Sequence, residues 1–265
     1  MDLFTARVIV FLLVCIFSFF ALHISPHICV KKVKKISGVK VFLPTFMFLI
    51  LISAGAMLYV LTYYTWIVGY FVAVVMGFGT IKALESYGPK VAGSMGGLTL
   101  LFFYAASLNV SITSVILRDT ATFISCLAIG IYFSRLITFR NLIIVSGLLA
   151  VYDFVAVFVT KHMVSLNVHG RDILPLITVP YLKEGMLMLP GTGIGSGDLI
   201  IIAALIGGTE NVHGIRNGKA VTVGILVGFA FTYLGMSLFG IRLAPGLPGI
   251  VLGAFIGLWL AKKMY

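Results

Sequence analysis

The feature that most limits this chain is a succession of apolar runs long enough to cross a bilayer. A helix needs roughly 20 predominantly apolar residues to do so. Nine stretches qualify, at about 4–23, 41–61, 65–81, 91–117, 120–136, 141–160, 190–208, 220–239 and 248–261. In hydrocarbon every main-chain N–H and C=O must be satisfied within the protein, so such runs become helices. Only 10% of the 265 residues are charged, against about 25% in a soluble domain. The sequence therefore predicts an all-α polytopic membrane protein with nine transmembrane helices. It forms a single membrane domain over 1–265, with spans one to six within 1–160, an extracytoplasmic connecting segment at 161–190, and spans seven to nine within 191–265. The first run is too long for a signal-peptide core and is expected to be a retained span. The boundary between spans four and five is placed at Arg118-Asp119, where two charges interrupt an apolar run.

The net charge of +11 is carried by short connections between apolar runs, the pattern of topology signals and lipid headgroup contacts rather than of nucleic-acid binding. Lys31, Lys32, Lys34, Lys35, Lys40, Lys82, Lys90, Arg135, Arg140, Arg216, Lys219, Lys262 and Lys263 fall on one side of a nine-span chain. Arg7, Arg118, Lys161, Arg171, Lys183 and Arg242 fall on the other. This bias places the N-terminus outside and the C-terminus in the cytoplasm of a multi-pass cell-membrane protein. Cys15, Cys29 and Cys126 have no paired or ligand spacing and read as apolar filler. The five histidines share no ligand spacing, so no metal site is expected. Small residues recur every fourth position at Gly93/Gly97, Gly224/Gly228 and Gly249/Gly253/Gly257, a spacing that lets helices pack backbone to backbone.

Two carboxylates carry the chemistry. Asp198 closes Gly191-Thr-Gly-Ile-Gly-Ser-Gly-Asp198, with four glycines in seven residues, and a lipid-grade apolar run follows directly. An ionisable group there is costly and by default functional, although an Asp in this position can also simply cap a helix. Asp153 lies about twelve residues into the sixth run, roughly 18 Å deep at the rise of an α-helix. Ser146, Ala150, Ala156 and Thr160 share its face, which is small and weakly polar. Two such acids brought together cannot both ionise cheaply and share a proton. That is the arrangement in which one carboxylate activates water and the other polarises a scissile carbonyl.

Tyr152-Asp153 in the sixth span and Gly195-Ser-Gly-Asp198 in the seventh resemble the YD and GxGD motifs of the presenilin and signal peptide peptidase family. Pro245-Gly246-Leu247, before the ninth span, stands where that family carries Pro-Ala-Leu. The resemblance covers essentially the whole chain. It implies a presenilin-like fold and an intramembrane aspartyl protease without metal or cofactor. It implies Asp153 and Asp198 as the catalytic pair, and site-shaping roles for Tyr152, Gly195, Gly197, Pro245, Gly246 and Leu247. The charge-derived orientation matches the signal peptide peptidase branch. It implies signal-peptide or signal-anchor substrates, a compact archaeal-type homologue acting in membrane lipid without obligatory accessory subunits, and leaves room for a homo-oligomer.

The apolar stretches 177–179 and 186–189, which include Leu187 and Leu189, suggest an extended edge that pairs main chain to main chain with an unwound substrate. A loop lying on the membrane surface is the alternative. A proton- or cation-coupled transporter is the competing functional class, since paired acids and a Gly-broken helix also build ion sites. No inverted repeat supports it.

Overall fold

The computed structural model describes residues 3–27, 65–108, 111–159, 176–183, 186–239 and 244–263. Eight α-helices lie among them. These are α1 (Leu3–Ile24), α2 (Thr65–Leu84), α3 (Pro89–Leu108), α4 (Ile112–Leu136), α5 (Phe139–Phe154), α6 (Ser196–His213), α7 (Ile215–Leu238) and α8 (Leu247–Lys263). Between α5 and α6 stands a hairpin of β1 (Leu176–Lys183) and β2 (Met186–Gly195). The predicted second span, at 41–61, lies outside the described residues, as do Thr160 and Cys29. Leu3–Ile24, Ile112–Leu136, Phe139–Val159 and Ile215–Leu238 are each long and apolar enough to cross a membrane. The helical membrane architecture therefore holds, with the hairpin as its one departure among the described residues.

The sequence misplaces one boundary. Arg118 and Asp119 do not separate two spans but lie inside α4, at its seventh and eighth residues. The helix starts at Ser111, where a capping box replaces the missing helical bonds. The Ser111 hydroxyl accepts from the Ser114 N–H at 3.2 Å, and the Ser114 hydroxyl accepts from the Ser111 N–H at 2.8 Å. With Arg118 inside a helix, the charge bias among the connecting segments keeps its direction. The polar connection after α2 is as expected: Gly88, at φ 111°, makes the turn, and Pro89 opens α3.

Helix α6 is the central post. Ile201 to Ile206 are buried on every side, as an all-round apolar helix must be. It is surrounded by α1, α4, α5, α7 and α8. Gly130 of α4 permits the closest of these approaches, since a methyl there would lie 2.6 Å from the Ala203 Cβ and the Ile200 carbonyl. Bulky apolar side chains such as Phe19, Phe78, Val151, Phe231, Leu252 and Trp259 point outward, the inverse of a soluble surface and the expected face toward lipid.

The glycine stripes resolve into two outcomes. On α7 and α8 they interlock: a methyl on Gly224 or Gly228 would overlap the carbonyl of Gly253 or Gly249, and one on Gly257 would overlap that of Ala220. Gly93 and Gly97 of α3 instead have nothing within 4 Å of a would-be Cβ among the described residues. There, Gly96 faces the Gly77 carbonyl of α2.

The hairpin is antiparallel, with Ile177 opposite Ile194, Thr178 opposite Gly193 and Val179 opposite Thr192. Pairing slips after Val179 and resumes with Tyr181 opposite Met188. Pro180 sits at the slip and Pro190 lies in the matching gap, where a missing N–H does no harm. Leu187 pairs with Leu182, whereas Leu189 falls in the gap. The stretch expected to be either an edge or a surface loop is thus a strand.

Candidate active site

Helix α5 ends at Phe154, and its last turn widens into a π-turn over Val155–Val159. Asp153 sits at this change of pitch. Widened turns of this kind occur mostly at functional sites. Ser146, Ala150 and Ala156 are buried, as the helical face drawn from the sequence requires. The Asp153 carboxylate accepts the Leu247 backbone N–H at 3.1 Å. That bond pins it to the first residue of α8.

Asp198 occupies the third position of α6. Its carboxylate accepts the backbone N–H of Gly195, the N-cap residue. This is half of a capping box, with an acid in the first turn where the helix dipole favours it. Asp198 is thus not the N-cap itself, a place that Gly195 takes, and its carboxylate faces α8. A methyl on Gly246 would lie 2.9 Å from one carboxylate oxygen of Asp198 and 3.5 Å from the other. Asp153 and Asp198 consequently meet the same Gly246–Leu247 step from two different helices, within electrostatic reach of each other. Nothing in the local sequence shows that Gly246 touches Asp198. A methyl in place of the Gly246 hydrogen would make the end of the Asp198 side chain shift.

The remaining residues take graded places. Pro245 and Leu247 are buried beneath the pair, and Gly246 is half-buried between the two acids. Gly195 is extended at φ −73° and ψ 152°. Gly197 is exposed, with nothing within 4 Å of a would-be Cβ among the described residues. Tyr152 is half-buried and within electrostatic reach of Asp153. Leu187 and Leu189 belong to the part of β2 beyond the slip in pairing.

Three groups near the site escaped sequence reasoning. Thr178 of β1 donates its backbone N–H to Asp119 at 2.9 Å and accepts from the Arg118 guanidinium at 2.8 Å. Arg118 and Asp119 are themselves 3.6 Å apart. This cluster fastens β1 to α4. Its signal was present, since a charged pair inside an apolar run is itself a candidate for a buried pair. On β2, the Tyr233 hydroxyl of α7 donates to the Gly193 carbonyl at 3.3 Å. Beneath the first turn of α6, the buried Cys126 thiol donates to the Ser196 carbonyl at 3.6 Å. Among the described residues no three His, Cys, Asp or Glu side chains gather to hold a metal ion.

Fold and site together define a polytopic helical membrane protein that presents two acids at one main-chain step. The solved structure of a presenilin family intramembrane aspartate protease, in space group C222, has a similar architecture. It matches with a TM-score of 0.59 over 99% of this chain and 99% of that one, at 17% identity. The chain therefore has the presenilin-like fold that its motifs implied. No protein-family model matches the sequence, and no curated protein matches it.

Proposed function

We propose that this chain is an intramembrane aspartyl endopeptidase that hydrolyses peptide bonds within transmembrane segments of the signal-peptide or signal-anchor type. The observation that carries the reading is the meeting of Asp153 and Asp198 at the Gly246–Leu247 step. One carboxylate takes a proton from water as the water oxygen attacks the scissile carbonyl carbon. The other gives a proton to the carbonyl oxygen. Collapse of the resulting gem-diol breaks the C–N bond: the carboxylate that gave its proton takes one from a diol hydroxyl, and the protonated partner gives its proton to the leaving nitrogen. No cofactor enters this sequence of steps.

Hydrolysis requires an unwound substrate, because helical peptide bonds are already hydrogen-bonded. A strand edge beside the acids would hold one. The outward N–H of β1 at Thr178 is occupied by Asp119, and β1 lies more closely than β2 against α1 and α4. That favours β2 as the strand that offers its main chain. The enzyme works in membrane lipid with its N-terminus outside and its C-terminus cytoplasmic. It acts on a transmembrane peptide or protein without obligatory accessory subunits, and neither nucleic acid nor metal takes part.

The test is cleavage of a labelled single-span substrate in liposomes. Wild type should release a new peptide. Asp153→Asn and Asp198→Asn should each lower the rate by about a thousandfold or more while remaining folded, as losses of a reacting group do. Cation or proton uptake that needs both acids, with no peptide released, would establish the transporter instead.

A further inference from the structure

The Thr178–Gly193 pair decides which main-chain groups β2 shows to its surroundings. Opposed residues of an antiparallel pair alternate between those that exchange hydrogen bonds and those that turn both groups outward. Thr178 sends its N–H to Asp119 and Gly193 offers its carbonyl to Tyr233, so this pair is of the outward kind. Gly193 is exposed and stands two residues before Gly195, whose own N–H holds Asp198.

The donor on that carbonyl is weakly held. An O–H···O bond runs normally from about 2.5 to 3.0 Å, and this one is 3.3 Å. The rest of Tyr233 is fixed. Its ring packs on Phe229 at 4.5 Å between centroids. Its backbone carbonyl accepts the Ser237 hydroxyl at 3.0 Å, and Ser237 in turn accepts from Arg7 of α1 at 3.1 Å. A rigid turn of α7 therefore presents one loosely bound hydroxyl to an outward carbonyl two residues before Gly195, with Asp198 within electrostatic reach.

We propose that Tyr233 is a substrate-positioning residue whose hydroxyl holds the Gly193 carbonyl until a substrate backbone N–H replaces it. In the resting protein it keeps this acceptor paired. On binding, the substrate takes the carbonyl and the hydroxyl turns away, so part of the binding free energy is spent on displacing it. The inference rests on the protease reading for its substrate, a transmembrane peptide, but not for its geometry.

The experiment uses Tyr233→Phe, which removes the oxygen and keeps the ring. With the hydroxyl gone, a substrate N–H meets an unoccupied carbonyl. KM for the liposome substrate should fall by about three- to tenfold, the span of one neutral hydrogen bond, with kcat changing by less than about twofold. A hydroxyl that merely holds β2 in shape predicts the opposite sign, because its loss loosens the strand and raises KM. An unchanged or raised KM overturns the proposal. Binding of a fluorescent signal-anchor peptide is measured in parallel on Asp153→Asn with and without Tyr233→Phe. Tighter binding in the double variant supports the proposal even where wild type cleaves nothing, an outcome that overturns the protease reading alone. Cleavage by wild type with no gain in affinity overturns the Tyr233 role alone, and absence of both cleavage and binding overturns both.

Discussion

Glycine does opposite work in two parts of this molecule. Between α7 and α8, Gly224, Gly228, Gly249, Gly253 and Gly257 remove side chains so that two backbones close on each other, and no space remains. From Gly191 to Gly197 the same residue leaves backbone uncovered: Gly193 and Gly197 are exposed. The first region is secured along its length by many small contacts. The second is secured at single polar points, by Asp119 on Thr178, Tyr233 on Gly193 and Asp198 on Gly195. An intramembrane protease of the kind proposed would need both. Gly246 joins them, lying at the foot of the interlocked pair and against Asp198.

The contrast is broken most severely at Gly253. Gly253→Leu would drive a side chain into the Gly224 carbonyl, which cannot move without its helix. Stability should drop by about 3 kcal/mol or more, seen as loss of folded protein in detergent melts. Survival of the fold would mean that α7 and α8 are not locked as described. Asp119→Asn tests a single polar point. It keeps an acceptor for the Thr178 N–H but removes the charge beside Arg118, and should lower stability by about 1 to 2 kcal/mol. Protease digestion should then reach the hairpin sooner than the helices.

Gly246→Ala sharpens the comparison with the smallest disturbance. The added methyl meets only the movable end of Asp198. Stability should change by less than about 0.5 kcal/mol, the usual range away from a locked core. Cleavage should nevertheless fall by about three- to tenfold as the carboxylate is displaced, since small misplacements of reacting groups are felt strongly. Full activity would show that the acid relaxes without consequence.

How legible was this from sequence? The helical membrane architecture was, because lipid imposes a length and a hydropathy that few residues can disguise. Asp153 and Asp198 stood out because an acid is costly in such surroundings, but their meeting at Gly246–Leu247 was not legible in the local sequence. Arg118-Asp119 was misread for a related reason. Charge in an apolar run marks a boundary unless a partner arrives from elsewhere, and Thr178 arrives from 59 residues away in the chain. The hairpin was half legible, since prolines and glycines announce interruption but not which residues pair across it. Tyr233 gave no sign at all: a tyrosine in a membrane helix is ordinary until a distant carbonyl is placed against it.

The π-turn below Asp153 has a consequence for how this chain can vary. Such a turn holds one residue more than regular helix requires. Removing a residue from 155–159 would let the coil close to ordinary pitch, leaving the segment from Phe139 to Asp153 in its present phase. The same deletion upstream, between Phe139 and Asp153, would rotate the acid by about 100° away from Leu247. Length changes in this rod are therefore asymmetric, forgiven on one flank of the carboxylate and fatal to its aim on the other.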